Sequence, residues 1–283
     1  MKAAKKAALW SLALVLGVLA LASVSVGHLA ALRVSDGREI GFPALVEEIR
    51  GADVVLVGEL HDNPGHHEVQ LAVIKALREG GARVAVGLEM FASRSQPALD
   101  SWVRGGMDPR RFISVYYDNW RMPWPLYAGI LTYLREEGIP AVGLNVPQRI
   151  TQKVAEMGFD SLTPEELRDL PPGLSCDVSE SYRDYIREMY SMHDTRDRSF
   201  EHFCEAQLLW DKAMAWRLLK YLRENPGTTV VVLAGLTHAM KRGIPWQMDR
   251  MSEGLRYKVL MPATPGMPPG KVTSERADYV VFF

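Results

Sequence analysis

Five short apolar runs, separated by helical segments, constrain the fold of this chain more than any other feature of its sequence. Each run is nearly continuous in apolar residues, many of them β-branched, and does not alternate with polar residues. That pattern is typical of strands that helices cover on both faces. The five predicted strands are Val54–Gly58, Val84–Leu88, Ala141–Leu144, Thr229–Ala234 and Tyr279–Phe282.

The segments between the first three strands have the periodicity of helices. Residues 68–81 place Val69, Val73 and Leu77 on one helical face and end in two glycines, and residues 125–140 behave likewise. This β-α-β-α-β order predicts an α/β fold with a mostly parallel sheet flanked by helices.

Residues 148–225 carry helix signals without strand signals. Among them is a capping box, in which Thr163 is followed three residues later by Glu166. The apolar segment 200–222 is predicted to be a largely buried helix. We expect this helical insertion to form a smaller helical cap subdomain over one end of the sheet, within an α/β domain that spans residues 39–283.

The amino terminus has the pattern of an export signal. Three lysines within the first six residues precede residues 7–26, which contain no charge and are long enough to span a bilayer as a helix. Residues 1–30 are therefore predicted to be a signal peptide or an N-terminal membrane anchor, and residues 27–38 a short linker. The basic start predicts an exported protein, periplasmic or anchored by residues 7–26. No cysteine lies in or just after this segment, so lipidation there is excluded.

Charge, cysteine content and motifs exclude several classes of protein. With 33 basic and 34 acidic residues the formal net charge is −1, and no basic run follows the first six residues, so nucleic acid is not an expected partner. No Gly-rich phosphate loop or Gly-x-Ser-x-Gly elbow occurs, which argues against nucleotide chemistry and serine hydrolysis. The two cysteines, Cys176 and Cys204, fit either one disulfide or two buried thiols.

Polar side chains follow four of the predicted strands at the point where each strand ends. Glu59 and His61 follow the first strand, Glu89 the second, Asn145 the third and His238 the fourth. Ligands bind outside the carboxyl ends of the strands in open parallel sheets, so these side chains predict one shared site. Glu59 and His61 are two residues apart and are expected to point to the same side.

Imidazole and carboxylate groups in this number suit a divalent cation such as Mn²⁺, Fe²⁺ or Zn²⁺. His66 and His67 fall in the first turn of a helix that Asn63 and Pro64 are expected to start, where the helix dipole keeps an imidazole neutral. A solvated or capping role fits His66 and His67 equally well. The predicted metal ligands are His61, His66, His67 and His238, and the predicted general base is Glu59 or Glu89.

Residues 116–127 are rich in aromatic side chains, which suit a hydrophobic planar ligand. Packing of these rings between the helical cap and the sheet explains them equally well. Tyr182, Tyr185 and Tyr190 form a second aromatic cluster, and a tyrosinate is one of the axial ligands of ferric haem.

Several of these segments together carry a family resemblance. VVLVGELHDNPGHHEVQLAVIKAL, VAVGLEMF, GIPAVGLNVP, AQLLWDKAMA and LAGLTHAMKRGIP follow one another in this order. The chain resembles the ChaN-like family of haem-binding, iron-regulated proteins, which is grouped with the Tiki, TraB and erythromycin-esterase proteins. The resemblance covers about residues 40–283.

The resemblance implies a haem-binding protein of the envelope that serves haem or iron uptake, with haem held at a homodimer interface through a tyrosine. The candidate haem ligands are Tyr116, Tyr117, Tyr182, Tyr185 and Tyr190. Related groups in the wider superfamily are metal-dependent hydrolases built on paired Gly-x-x-His motifs and a glutamate, here carried by His61 and His238. A divalent-metal-dependent hydrolase is therefore the alternative function.

Overall fold

The computed structural model describes residues 29–175, 178, 180–192, 199–265 and 268–283. Their strands form one eight-stranded sheet in the order β2-β1-β8-β7-β3-β6-β4-β5. The six strands from β8 to β5 in that order are parallel, while β1 is antiparallel to both β8 and β2. The strands are β1 (Ala30–Arg33), β2 (Arg38–Gly41), β3 (Val54–Glu59), β4 (Val84–Ala92), β5 (Ala141–Asn145), β6 (Thr229–Gly235), β7 (Tyr257–Pro262) and β8 (Tyr279–Phe282).

Helices cover both faces of this sheet, which confirms the predicted fold class. The α-helices among the described residues are α1 (Phe42–Ile49), α2 (Pro64–Glu79), α3 (Gln96–Val103), α4 (Pro109–Asn119), α5 (Trp124–Glu136), α6 (Gln148–Met157), α7 (Pro164–Leu167), α8 (Glu180–Met192), α9 (Phe200–Glu224), α10 (Leu236–Ala239) and α11 (Ile244–Met251). All five predicted strands are present, each within a few residues of its predicted end.

The alternation of side chains along each strand divides the core into two halves. In β3, Val55 and Val57 pack with the layer formed by α1 to α5. Val54 and Leu56 point the other way and pack with the layer formed by α8 to α11. Both halves are buried, which is the physical reason why these strands are apolar at every position.

The long helix α9 is apolar around much of its circumference because it has neighbours on two sides. Leu208 and Leu218 pack into the core beside the sheet. Leu209 and Ala213 pack instead against α6. The segment is a largely buried helix, as predicted, but it belongs to the helical layer on the sheet as well as to the helical cap over it.

Two parts of the sheet were not predicted. Residues 27–38, expected to be a linker, contain β1 and the start of β2, so that expectation is wrong for this segment. The hairpin between them turns at Gly37, whose positive φ of 68° favours glycine. Strand β7 was missed as well, because a Pro- and Gly-rich loop follows it closely in the sequence.

The predicted export segment, residues 7–26, lies outside the described residues. No helix within the described residues is both long and apolar enough to cross a membrane. Cys204 is buried, and Cys176 lies outside the described residues, so the disulfide between them stays a prediction.

Candidate functional site

A cavity of about 420 Å³ lies at the carboxyl ends of four neighbouring strands. The strands β3, β6, β4 and β5 are adjacent in the sheet and deliver His61, His238, Glu89 and Asn145 to its wall. Parallel strands end at the same edge, so residues that are far apart in the sequence meet there.

The first element of the site is a carboxylate and imidazole pair at the end of β3. The Nδ1 of His61 is 2.7 Å from Oε1 of Glu59, which is buried. A carboxylate accepts, so Nδ1 carries the donated proton and the neutral ring keeps Nε2 as an acceptor. Burial lowers the pKa of His61, but the hydrogen bond to Glu59 and the charges of Glu89 and Glu59 outweigh burial and raise this pKa.

Glu59 is held in place from several directions. Gln70 Nε2 donates to Oε2 of Glu59 at 2.7 Å, and the hydroxyl of Tyr127 donates to Oε1. The Nε2 of His67 lies 3.4 Å from Oε2. Burial raises the pKa of Glu59, yet its hydrogen bonds and charge interactions with His61 and His67 hold that pKa well below its usual range. Glu59 is therefore an ionised carboxylate that fixes the orientation of His61.

A second pair lies after β6. The Nδ1 of His238 is 2.7 Å from Oδ1 of Asp211, and Tyr182 donates to Oδ2 of the same carboxylate at 3.0 Å. Burial alone lowers the pKa of His238, but the charges of Glu89 and Asp211 prevail and raise this pKa to about 9. Burial raises the pKa of Asp211, and the neighbouring His238 opposes that rise. The pair is thus an imidazolium held by a buried carboxylate.

Glu89 lies near both imidazoles. Its Oε2 accepts from the backbone N–H of Gly235 at 2.6 Å, and its Oε1 is 3.9 Å from Nε2 of His238. Glu89 belongs to β4, at the point where the register with β5 shifts. A Cβ on Gly235 would lie 3.2 Å from Nε2 of His61, so the absence of a side chain at Gly235 lets this ring approach Glu89.

His66 and His67 are buried at the start of α2 and do not line the cavity. Asn63 caps this helix as predicted, its side chain accepting from Gly65 N at 3.0 Å, with Pro64 in the first turn. The Nδ1 of His66 accepts from Leu60 N at 2.8 Å, and burial, then the neighbouring His67, lower the pKa of His66 to about 4. The structure therefore places His67 beside Glu59 and leaves both rings outside the cavity that His238 lines.

Asn145 lines the cavity but its carboxamide is engaged with the backbone. Its Nδ2 donates to the carbonyl oxygen of Glu89 at 2.8 Å, and its Oδ1 accepts from Val146 N at 2.8 Å. These bonds link the ends of β4 and β5 and position Glu89.

The five candidate tyrosines differ sharply in exposure. Tyr116, Tyr182 and Tyr185 are buried, and their hydroxyls donate to Met122 O, to Asp211 and to Thr237 O. Burial raises the pKa of all three phenols, which opposes formation of a tyrosinate. Tyr190 is half-buried and packs against two phenylalanines.

Tyr117 is the exposed member of the set, with 51% of its surface accessible. Its hydroxyl accepts from Trp124 N at 3.1 Å. The five residues that follow it, 118–122, all line the cavity. Tyr117 itself does not line the cavity but directly precedes a segment that does.

Two tryptophans flank the two imidazoles inside the cavity. The ring of Trp120 meets that of His61 edge to face, with centroids 4.9 Å apart, and Trp210 meets His238 in the same way at 5.7 Å. Met90, Met122 and Phe203 add apolar surface. The cavity thus combines an aromatic and thioether lining with two oriented imidazoles, a combination that accepts a flat apolar molecule.

Three residues that organise the site were not predicted from the sequence: Gln70, Tyr127 and Asp211. Asp211 had a signal, because it is the acidic residue of the segment AQLLWDKAMA and an acid amid apolar residues of a buried helix needs a partner. Tyr127 and Gln70 had none, since each lies on a helix whose contact with Glu59 is created by packing.

The four predicted metal ligands do not form one cluster. Among the described residues, no group of three or more His, Cys, Asp or Glu side chains is arranged to hold a metal ion. His61 and His238 line the cavity, whereas His66 and His67 do not, and His67 lies near Oε2 of Glu59 while His61 bonds to Oε1.

Comparison with known proteins gives a family and a fold. The family model described as haem-binding uptake, Tiki superfamily, ChaN, matches residues 45–248. The structure of ChaN of Campylobacter jejuni, a protein that binds haem cofacially, is similar with a TM-score of 0.71 and 20% identity, over 89% of this chain and 96% of that chain. At this level of identity the likeness shows the fold alone.

A curated plant protein is also similar in sequence. Protein RETICULATA-RELATED 5, chloroplastic, of Arabidopsis thaliana is 21% identical over 245 residues, which is 77% of this chain. The chain spans about one third of the length of that relative (33%).

Proposed function

Because the chain belongs to the ChaN family of haem-binding uptake proteins in the Tiki superfamily, we propose that it binds haem at the mouth of the cavity beside β3 to β6. The observation that supports this location is the exposed Tyr117, which directly precedes the cavity-lining residues 118–122. Haem needs an apolar surface for its ring and a protein ligand for its iron, and both are present on this segment.

The residues at the mouth of the cavity fit the chemistry of haem. Trp120 and Met122 supply apolar surface, and Tyr117, which is exposed, stands next to this lining segment in the sequence. The other four candidates are buried or half-buried. When bound, haem would supply a ferric iron, for which Tyr117 would be the protein ligand. Tyr117 is therefore the ligand in this proposal.

The test is a titration of the purified protein with haemin, followed by absorbance. We expect a saturable change in the Soret band for the wild-type protein and for Tyr221→Phe, a matched control at the far end of α9. Tyr117→Phe is expected to lose the charge-transfer band of phenolate ligation, whereas His61→Ala is expected to keep it. Loss of the complex in His61→Ala, with retention in Tyr117→Phe, would assign the iron to the imidazole and reject this proposal.

We extend the proposal to the cellular location and the oligomeric state of the protein. Haem or iron uptake in the envelope is supported by the family and by the uncharged residues 7–26 after a basic start. A homodimer that forms with haem is supported by the resemblance stated above. Fractionation of cells, amino-terminal sequencing of the recovered protein and a sizing column run with and without haemin test these points in turn. Recovery of the protein in the cytoplasm with Met1 intact would reject export.

Hydrolysis is a second candidate, favoured by one specific observation. Two imidazoles face the same cavity, and each is oriented through Nδ1 by a buried carboxylate. In this mechanism Nε2 of His61 takes a proton from a water that adds to an acyl carbon, and His238, as imidazolium, gives a proton to the leaving oxygen or nitrogen. The net reaction consumes one water, and both histidines are reset by proton transfer.

The metal-dependent form expected from the sequence would need the imidazoles to hold a divalent ion, but no group of three or more His, Cys, Asp or Glu side chains among the described residues is arranged to do so. Activity toward p-nitrophenyl esters, with metal content measured on the same preparation, tests both forms. We expect His61→Ala and His238→Ala each to lose at least about 100-fold in rate, the usual contribution of a general acid or base. Loss of activity with EDTA supports the metal form. Turnover no faster than that of free imidazole would reject hydrolysis of this substrate class.

A further inference from the structure

Two arginines lie at the cavity without a partner of opposite charge. Arg94 follows β4 in a short 3₁₀ helix, and Arg121 lies in the loop between α4 and α5. Both line the cavity and both are exposed. Within the part of the chain that the structure describes, neither guanidinium forms an ion pair or a side-chain hydrogen bond.

The two sides of the cavity differ in character. Arg94 and Arg121 come from segments joined to α3, α4 and α5, which form the helical layer on one face of the sheet. The lining from α6 and α9 on the other face carries no charge and mixes apolar with neutral polar side chains: Gln148, Thr151, Ala155, Phe203, Ala206, Gln207 and Trp210. A ligand that spans the cavity therefore meets cations on one side and an uncharged surface on the other.

The acidic groups that line the cavity do not neutralise both arginines. Glu89 is already engaged with Gly235 N and lies near His238. Asp118, one turn before Arg121, is exposed and lines the same cavity, so it offsets one of the two positive charges. One guanidinium charge remains in excess, and both guanidinium groups keep their donor atoms available to a ligand.

We infer that Arg94 and Arg121 bind carboxylate substituents of the ligand, so that the site selects a planar apolar molecule that carries acid groups over its uncharged ester. Guanidinium groups bind carboxylates through paired hydrogen bonds, and the charge on both partners makes such bonds stronger than neutral ones. This inference rests on the proposed haem binding, since the two propionate groups of haem are the carboxylates in question.

The experiment compares haemin with haemin dimethyl ester, in which both carboxylates are neutral. We expect the wild-type protein to bind haemin about tenfold more tightly than the ester, and Arg94→Gln and Arg121→Gln each to weaken haemin binding by roughly threefold to tenfold, the range for exposed to partly desolvated charged bonds. Both variants are expected to bind the ester as the wild-type protein does. Higher salt is expected to reduce the ratio between the affinity for haemin and the affinity for its dimethyl ester.

The matched control is Arg223→Gln, because Arg223 is exposed in the last turn of α9, at the opposite edge of the sheet. Arg223→Gln is expected to leave the affinities for haemin and for its dimethyl ester unchanged. Equal binding of haemin and its ester by the wild-type protein would overturn the assignment of the two arginines while leaving haem binding intact. Failure of both compounds to bind would overturn the haem proposal and this inference with it. Circular dichroism of each variant confirms that the fold is retained.

Discussion

Replacement of Asp211 by Asn tests whether the buried His238 is an imidazolium in the folded protein. Asparagine keeps the size of the side chain and an acceptor oxygen for Nδ1 of His238, so the change removes charge without opening a cavity. Nδ1 of His238 is 2.7 Å from Oδ1 of Asp211, and the aspartate is almost wholly buried. The loss of one charge should therefore appear directly in the stability and in its dependence on pH.

The magnitude follows from the pKa of His238, which the neighbouring carboxylates raise from 6.5 to about 9. At 1.36 kcal/mol for each pKa unit, this rise corresponds to roughly 3 kcal/mol of stability. Because the folded pKa is the higher one, that stability is fully present below about pH 6.5 and is lost as the pH rises through about 9. Glu89 supplies part of the effect, so Asp211→Asn should remove about 1–2 kcal/mol at pH 6.

Urea unfolding followed by tryptophan fluorescence, from pH 6 to pH 10, measures this difference. We expect the variant to be less stable than the wild-type protein at pH 6, and this difference to vanish or reverse by pH 10, where a neutral His238 leaves the buried carboxylate of Asp211 in the wild-type protein without an imidazolium. Tyr182→Phe is the control, because it removes the hydroxyl that donates to Asp211 and leaves the charge. Its cost should not vary in the same pH window. A difference between Asp211→Asn and wild type that is constant from pH 6 to pH 10 would refute the imidazolium assignment.

Two further substitutions test the geometry of the site. Gly235→Ala would place a methyl group 3.0 Å from Cε1 of His61, so we expect a displaced ring, seen as altered imidazole NMR shifts, and about 1–3 kcal/mol lower stability by urea unfolding. Gly270→Ala, with no atom within 4 Å of the new methyl, should change neither. Asn63→Ala should cost about 1 kcal/mol and shift the His66 resonances, while the cap variant Asp108→Ala should cost a similar amount and leave them unchanged.

The fold could be predicted from the sequence because a strand that is buried on both faces is apolar at every position. The runs at β3, β4, β5, β6 and β8 could be recognised for this reason. Strand β2, at the edge of the sheet, and its neighbour β1 are partly exposed, and β2 carries charged residues such as Arg38 and Glu39, so the apolar signal of both strands is weak. Only the turn at Asp36-Gly37 marked their hairpin in the sequence.

The site was accessible only in part. The ends of parallel strands must meet, and this rule is enough to bring Glu59, His61, Glu89 and His238 to one edge. The rule says nothing of which side chain pairs with which. The pairing of His238 with Asp211, and not with a strand-end carboxylate alone, depends on where α9 packs against the sheet.

The sequence by itself therefore determined the parallel core, the edge at which the polar groups gather and the helix cap at Asn63, because each of these depends on local periodicity or on a topological rule. The tertiary structure decided which tyrosine is exposed, which imidazoles share the cavity and which carboxylate orients each one. Those outcomes depend on contacts between elements that lie far apart in the chain, as in the bond from Tyr127 on α5 to Glu59 on β3. Packing at such distances is set by the shape of the whole core, and no local pattern of residues records it.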